Sequence, residues 1–139
     1  MSIGNQPAHV RIREDPLGRS SFEVQDVVSD GRHRLVLTGE LDLAPAAELE
    51  AVLLRLCADG TKEIALDLSK LRFMGSTGLR VVLLAKELCE QHGYEFLLIP
   101  GPRNIQRIFE LTGVLDVLPF QAQGPSVIAP EGRASSLGP

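Results

Sequence analysis

The chain has 139 residues, of which 44% are hydrophobic and 4% aromatic, and its formal net charge is −4. This length and apolar content suit one compact domain with a core, and two domains would be a tight fit. The acidic balance and the lack of a basic run argue against nucleic-acid and anionic-lipid binding. No apolar run approaches the roughly 20 residues of a membrane span, and the amino-terminal residues lack the apolar core of a signal peptide. We therefore expect a cytoplasmic protein.

Two strand-like runs open the periodic part of the sequence. Residues 22–28 and 32–38 are rich in strand-forming side chains, and Asp30-Gly31 between them is a strong signal for a two-residue hairpin turn. The sequence therefore predicts a β-hairpin at the start of the domain.

Helices and strands alternate after the hairpin. Apolar residues at helical spacing predict helices, whereas short apolar runs bounded by Gly or Pro predict strands. The predicted elements are a helix over 44–58, a strand over 63–68, a helix over 77–91, a strand over 95–99, a helix over 103–111 and a short strand or final turn over 114–118. A hairpin followed by this alternation predicts an α/β fold with a mixed, largely parallel sheet packed with helices.

The two ends of the chain lack such periodicity. Residues 1–20 mix Pro, Gly, Arg and Asp, and residues 121–139 are rich in Gly, Pro and Ser. We therefore expect flexible tails over 1–20 and 121–139, on either side of a domain spanning 21–120.

Three turns follow strands of the predicted parallel sheet, at 39–42, 74–77 and 100–104. Functional loops of open α/β sheets gather beyond the carboxyl ends of the strands. We therefore expect these three turns to share one edge of the sheet.

The turn Gly75-Ser76-Thr77-Gly78 places two hydroxyl groups at the start of a predicted helix. A Ser or Thr at this position can cap the first helical turn, which is a common structural role. The same N–H groups, with the positive end of the helix dipole, would also stabilise a phosphoryl group on Ser76 or, as a second candidate, on Thr77. The turn alone leaves both interpretations open.

The serine turn does not match the enzyme signatures that it superficially resembles. A nucleophile elbow needs Gly two residues before the Ser, where this chain has Met74, and the phosphate-binding glycine motifs are absent. His9, His33 and His92 lie in a predicted tail, in a hairpin strand and at the far end of a helix. We expect no enzymatic activity and no cofactor, and a small hydrolase using Ser76 is the alternative of a different class.

Cys57 and Cys89 fall within predicted helices and lack CxxC or Cys/His spacing. Both are expected to be buried thiols, with neither a disulfide nor a metal site.

Glu40 and Asp42 stand two residues apart after the second predicted strand. Asp42 precedes the helix predicted over 44–58, where an acid commonly caps the first turn. The alternative is that these acids face a partner, since catalytic carboxylates would need a matched pocket. Both roles stay open at this point.

Four segments, taken together, resemble the STAS-domain family of anti-sigma factor antagonists. They are Leu37-Thr38-Gly39-Glu40-Leu41-Asp42, Leu66-Asp67-Leu68-Ser69, Phe73-Met74-Gly75-Ser76-Thr77-Gly78-Leu79 and Leu111-Thr112-Gly113-Val114. Their order and spacing match the family over residues 22–120.

The resemblance implies a STAS fold and a bacterial regulator that binds an anti-sigma factor and so frees a sigma factor for transcription. In the family the anti-sigma factor is commonly also an ATP-dependent serine kinase. Ser76 matches the serine that it phosphorylates, and a serine phosphatase reverses the modification. The implied partner-binding residues are Glu40, Asp42, Met74, Gly75, Ser76, Thr77 and Gly78.

The chain departs from the family pattern at Gly75, because an acid usually precedes the phosphorylated serine. Either Ser76 is phosphorylated by a kinase that does not need that acid, or the protein binds its partner without a phospho-switch. The second outcome would suit a STAS subunit of a stress-sensing scaffold or of a lipid transport system.

Overall fold

The computed structural model describes residues 8–12 and 22–121. Its elements are, in chain order, β1 (Ala8–Ile12), β2 (Phe22–Ser29), β3 (Arg32–Leu41), α1 (Leu43–Ala58), β4 (Glu63–Met74), α2 (Ser76–His92), β5 (Glu95–Ile99), α3 (Arg103–Leu111) and a 3₁₀ turn (Leu115–Val117). The five strands form one sheet in the order β1-β2-β3-β4-β5. The pairings β1–β2 and β2–β3 are antiparallel, whereas β3–β4 and β4–β5 are parallel. The predicted mixed α/β sheet is confirmed, with its parallel part confined to β3, β4 and β5.

The predicted hairpin is formed by β2 and β3. Asp30 and Gly31 both adopt left-handed backbone conformations, with φ of 52° and 77°. Two residues with positive φ are what a primed hairpin turn requires, because its twist matches that of the flanking strands. The hairpin prediction is confirmed, and both strands run further than expected, to Ser29 and Leu41.

The prediction of a tail over 1–20 is wrong at residues 8–12. Strand β1 pairs there with β2, from Ala8 opposite Asp26 to Ile12 opposite Phe22. A five-residue edge strand is too short to show a clear alternation of polar and apolar side chains, so the sequence did not reveal it. The other residues of the predicted amino-terminal tail, and those of the carboxyl-terminal tail after Gln121, lie outside the described residues.

Strand β4 is longer than the sequence predicted, because it continues from Leu68 to Met74. Its pairing with β3 is interrupted twice, between Val36 and Thr38 and between Gly39 and Glu40. Each interruption is a bulge that adds one residue to β4 and breaks the period-two pattern of side chains. The bulged segment ends at Met74, directly before the turn that contains Ser76.

The first bulge is closed by a side chain. Asp67, which is 7% exposed, accepts hydrogen bonds through Oδ1 from the Ser69 backbone N–H at 2.9 Å and from Ser69 Oγ at 2.6 Å. These bonds satisfy the buried carboxylate and fix the course of β4 beyond the point where β5 ends.

The core lies between the sheet and its helices. Residues 64–68 of β4 are all buried, as is typical of a central parallel strand. Helices α1 and α2 pack against each other, and α3 packs on β4. The side chains with no exposed surface include Leu35, Leu37, Leu41, Leu49, Leu53, Ile64, Leu66, Leu68, Val82, Leu98, Ile105 and Phe109.

The segment predicted as a short strand or final turn over 114–118 is a turn. Leu115–Val117 forms a single 3₁₀ turn, and the strand alternative is wrong. Phe120 then makes an isolated parallel bridge to Leu98, and its ring meets Phe109 edge-on at 5.0 Å between centroids. The described chain thus ends packed along β5.

Candidate functional site

The turns that follow β3 and β4 are joined at one edge of the sheet. Leu41 is paired with Met74 at the ends of these parallel strands, and the Gly75 N–H donates to the Leu41 carbonyl at 3.0 Å. The prediction that these two turns lie together is confirmed. Residues 39–41, however, belong to β3 itself, so that only Asp42 separates this strand from α1.

The third predicted turn, at 100–104, does not reach the same place. The pairing of β4 with β5 stops at Asp67 opposite Ile99, whereas β4 continues to Met74. Asn104 at the start of α3 donates through Nδ2 to the Arg72 carbonyl at 3.0 Å. This turn therefore lies alongside the bulged part of β4 and braces it, which corrects the prediction of three turns meeting at the strand ends.

Ser76 is the first residue of α2 and is exposed to solvent. Gly75 occupies the N-cap position, and no side chain of the described residues caps the first turn or supplies an acid there. The interpretation of Ser76 or Thr77 as the capping residue is therefore wrong. The Ser76 hydroxyl points from a helix start whose N–H groups and dipole favour an anion.

The two hydroxyl groups of the turn differ sharply in accessibility. Thr77 Oγ1 is buried and has no hydrogen-bond partner among the described residues, whereas Ser76 is exposed. A kinase must reach the acceptor oxygen, so this geometry favours Ser76 over Thr77 as a site of modification.

Asp42 is exposed at the N-cap position of α1, yet its side chain makes no capping hydrogen bond in the described structure. The side-chain cap predicted from the sequence is therefore absent. The carboxylate leans toward the neighbouring turn instead, because a β-carbon built on Gly75 would lie 2.8 Å from Asp42 Oδ1. Glu40 behaves differently, since its carboxylate pairs with Arg72 at 3.5 Å.

Met74 and Gly78 lie on the buried side of the serine turn and pack against the end of β3. Met74 is only 3% exposed, and Gly78 is buried against β3. A β-carbon on Gly78 would lie 2.7 Å from Met74 Cγ and 2.8 Å from the Leu41 carbonyl oxygen. These two residues were predicted to bind a partner; both are buried beneath the turn, and their direct contact with a partner stays a prediction.

Two apolar side chains flank the serine turn, and sequence reasoning did not select them. Leu43 is 71% exposed and Phe73 is 46% exposed. The available signal was their position immediately beside Asp42 and Met74 at the ends of two strands. Two exposed apolar side chains, one of them aromatic, give this edge apolar contact area that a partner can bury.

A small cleft lies between the starts of α1 and α2, beside these residues. Its volume is about 190 Å³, and its walls include Leu43, Glu50, Thr77 and Arg80. Pockets for cofactors and small ligands are typically larger, at roughly 300–1,000 Å³. The cleft is therefore better matched to a single side chain of a partner than to a cofactor.

The histidines are far from Ser76 wherever the structure describes their side chains. His33 lies beside Ile64, ten residues before Met74 along β4, which at ~3.3 Å per residue is roughly 30 Å. His92 ends α2 and bonds through Nδ1 to the Leu88 carbonyl at 2.9 Å. His9 lies in β1 rather than in a tail. Neither of the two described imidazoles can serve Ser76 as a general base.

Cys57 and Cys89 are both buried and not disulfide-bonded, as the sequence predicted. Burial raises the pKa of both thiols. For Cys89 the pKa rises to about 12, chiefly through burial and secondarily through the nearby Cys57 and Glu90. Thiols of this kind are poor nucleophiles.

The described residues contain neither a metal-binding cluster nor a membrane-spanning helix. No group of three or more His, Cys, Asp or Glu in residues 22–121 is arranged to hold a metal ion. No helix in the same part of the chain is long and apolar enough to cross a membrane.

Comparison with known proteins places this geometry in a family. The chain matches the STAS domain over residues 24–124. It is 30% identical over 98 residues to the anti-sigma-B factor antagonist of Staphylococcus aureus (strain NCTC 8325 / PS 47), which covers 70% of this chain and 91% of the relative. It is 37% identical over 91 residues to BtrV, a putative anti-sigma factor antagonist of Bordetella bronchiseptica, which covers 65% of this chain and 78% of the relative.

Solved structures share the fold. An anti-sigma factor antagonist from Mycobacterium paratuberculosis superposes with a TM-score of 0.60 at 21% identity, over 88% of this chain and 92% of that one. The antagonist SpoIIAA in its unphosphorylated form superposes with a TM-score of 0.62 at 20% identity, over 73% of this chain and 89% of that one. Fold and site thus define a small α/β domain whose exposed turn lies beyond the ends of its parallel strands. The chain belongs to the STAS-domain family, together with relatives that are named anti-sigma factor antagonists.

Proposed function

We propose that this protein is an anti-sigma factor antagonist. It binds an anti-sigma factor in the bacterial cytoplasm, so that a sigma factor is released, and it acts by binding rather than as an enzyme. The anti-sigma factor is also a serine kinase that uses ATP, and phosphorylation of Ser76 ends the interaction. A serine phosphatase restores the binding form.

The observation that carries the proposal is the exposed Ser76 at the start of α2, with no side chain of the described residues capping that helix. A phosphoryl group on Ser76 would bring a charge of about −1.5 to −2 and would meet the positive end of the helix dipole. The fold would therefore tolerate the modification, and the added negative charge would alter the exposed surface around the turn.

The surroundings of Ser76 supply a reason for the modified protein to lose its partner. Leu43 and Phe73 offer apolar contact area on either side of the turn, and Asp42 already places one negative charge there. A partner that fits this surface buries the turn, so a phosphate would be desolvated beside a carboxylate. Like charges brought together at an interface cost several kcal/mol, and about 1.4 kcal/mol is tenfold in affinity. No large conformational change is needed.

The test is incubation with the cognate anti-sigma factor and ATP, with the intact mass recorded over time. We expect one phosphate on the wild type and on Thr77→Val, which loses no hydrogen bond, and none on Ser76→Ala. An unmodified wild type would exclude the phospho-switch, and phosphate that persists on Ser76→Ala would move the site elsewhere.

A second candidate function is a STAS subunit of a stress-sensing scaffold or of a lipid transport system without a phospho-switch. The absence of an acidic side chain at Gly75 favours it. Affinity capture from the native organism, followed by partner identification, separates the two. Recovery of a kinase-like anti-sigma factor supports our proposal, whereas recovery of transporter or scaffold subunits without one would overturn it.

A further inference from the structure

Arg80 is a cation of α2 that has no partner in the unmodified protein. Its side chain is exposed, and it forms no hydrogen bond or ion pair with any residue that the structure describes. Lys86, the next cation along the same helix, is paired with Glu90 four residues later, at 2.6 Å between Nζ and Oε2. Helix α2 therefore satisfies one of these two cations and leaves the other free.

The helical neighbours of Arg80 explain this difference. Residues three and four positions apart lie on the same face of an α-helix, and for Arg80 these are Ser76, Thr77, Leu83 and Leu84. None of the four carries a charge. Ser76 is exposed, whereas Thr77 Oγ1 is buried. Phosphorylation of Ser76 is therefore the modification that would give Arg80 an anion on its own helix.

The order of the two residues suits an ion pair. Ser76 is the first residue of α2, and Arg80 follows it by four positions within the same helix. An anion that lies four residues before a cation is the favourable orientation of a helical pair. A guanidinium group also forms strong, charge-assisted hydrogen bonds with phosphate oxygens. The pair can form through side-chain rotation alone.

The other charges near the serine turn favour the same pairing. Glu50 and Arg80 line the cleft between α1 and α2, but they form no ion pair with each other in the described structure. The Asp42 carboxylate lies next to Gly75. A phosphate with a charge of about −1.5 to −2 would be repelled by both carboxylates and attracted by Arg80.

We propose that Arg80 is the internal counter-ion of a phosphate on Ser76, and that this pairing slows removal of the phosphate. Removal is a hydrolysis, in which water adds to phosphorus and the serine oxygen leaves with a proton. Arg80 must release the phosphate before a phosphatase can bind it. Because Arg80 neutralises only one of up to two negative charges, the modified turn stays acidic toward a partner. The occurrence of the modification rests on the function proposed above, whereas the pairing can be tested without a kinase.

The first test uses protein that carries phosphoserine at position 76, inserted during translation, and follows the ³¹P NMR signal with pH. The midpoint of the second ionisation is ordinarily near pH ~6, and a neighbouring cation lowers it because it favours the dianion. We expect a midpoint about half a pH unit lower with Arg80 than in Arg80→Gln, and Arg80→Lys should retain about half of that shift. Equal midpoints with Arg80 and with Gln would overturn the inference.

Lys86→Gln is the matched control, because it removes a cation from the same helix. It lies ten residues from Ser76, about 15 Å along the helix, which exceeds the screening length of ~8 Å in physiological salt. Its phosphate should titrate as in the protein with both cations. A shift as large as that of Arg80→Gln would show a general effect of charge and would overturn the pairing.

The second test is a cycle of four urea midpoints, for the unmodified and the phosphorylated protein, each with Arg80 or Arg80→Gln. Arg80 is exposed, so both forms should fold. Phosphorylation should raise the midpoint more, or lower it less, when Arg80 is present, and 1 M NaCl should remove most of this difference. Additive effects of the two changes would contradict the pair.

The third test measures removal of the phosphate by purified alkaline phosphatase. The rate should be about threefold higher for Arg80→Gln than for the protein with Arg80, and unchanged for Lys86→Gln. Equal rates for all three would overturn the effect on removal. If the pairing is found and the cognate anti-sigma factor with ATP never modifies the wild type, the pairing stands and the proposed function fails. If the wild type is modified and the NMR midpoints are equal, the proposed function stands and this inference fails.

Discussion

At the hairpin end of the sheet, His33 Nδ1 donates to the Asp26 carboxylate at 2.8 Å, and both side chains are largely buried. At the opposite end, the side chains of Ser76 and Asp42 form no hydrogen bond or ion pair with any described residue. The first pair joins β2 to β3, whereas Asp42 follows β3 and Ser76 follows β4, and the two ends differ in how their polar groups are satisfied. Polar groups that are paired internally stabilise the fold, whereas those left unpaired beside exposed apolar side chains are available to a partner.

The largest effect that we expect comes from the support beneath the serine turn. Gly78→Ala would press a methyl group against Met74 Cγ and the Leu41 carbonyl, both within 3 Å. Overpacking of this kind, against backbone, should lower the free energy of unfolding by about 3 kcal/mol. Urea unfolding measures it. The comparable change at the exposed Gly60, where φ is 81°, meets no atom within 4 Å and should cost only about 1 kcal/mol through backbone strain.

A charge at Ser76 should separate binding from stability. Ser76→Asp should weaken binding of the anti-sigma factor by roughly a hundredfold, because it adds a negative charge beside Asp42. Its free energy of unfolding should stay within about 1 kcal/mol of the wild type, since an acid is tolerated at a helix start. Calorimetric titration and thermal melts give the two values.

The control for this variant is Ser29→Asp, which adds the same charge at the exposed hairpin end. It should leave the affinity unchanged. Equal binding by Ser76→Asp and the wild type would contradict charge exclusion at the serine turn.

The buried pair at the hairpin end should show the opposite pattern. Asp26→Ala leaves His33 without its partner and should lower the free energy of unfolding by about 1.5 kcal/mol. The affinity for the anti-sigma factor should not change, because the pair lies far from Ser76. A loss of affinity larger than the loss of folded protein would show that the two ends are not independent.

The smallest effect concerns the two thiols near the carboxyl ends of α1 and α2. The pKa of Cys89 is raised by burial from its ordinary value near 9 to about 12, so the unfolded chain releases this proton at lower pH than the folded one. With respect to this thiol, the folded state is therefore most stable below pH ~9 and loses stability as the pH rises toward ~12. The loss in the free energy of unfolding is about 1 kcal/mol at pH 10.

Urea midpoints at pH 8 and pH 10 measure this loss, and Cys89→Ala should show less of it. Alkylation of the native protein at pH 8 should be slow at both cysteines and should become fast in urea. Rapid labelling of the folded protein would contradict the burial on which the pKa rests.

Local signals in the sequence were enough to predict an element wherever turn residues such as Gly or Pro mark its two ends. The Asp30-Gly31 turn, the strand over 95–99 and the helix over 103–111 were all predicted with the bounds that the structure shows or within a few residues of them. Strand β4 was cut short because its continuous apolar run ends at Leu68, and the bulged segment that follows begins with the exposed polar residues Ser69 and Lys70. Strand β1 was missed because it is defined by its pairing with β2, and its five residues alone carry no pattern that predicts a strand.

The serine turn itself was recognised from the sequence, and its internal geometry was not. The sequence by itself determined that Ser76 starts a helix after a buried strand, because apolar periodicity and turn residues act over a few positions. Only the tertiary structure decided that Thr77 Oγ1 is buried, that Gly78 packs closely against its neighbours, and that the Asp42 carboxylate lies next to Gly75. The contact at Gly78 involves the Leu41 carbonyl at the end of β3, and the contact at Gly75 involves Asp42 directly after it. Both lie next to the turn only when β3 pairs with β4.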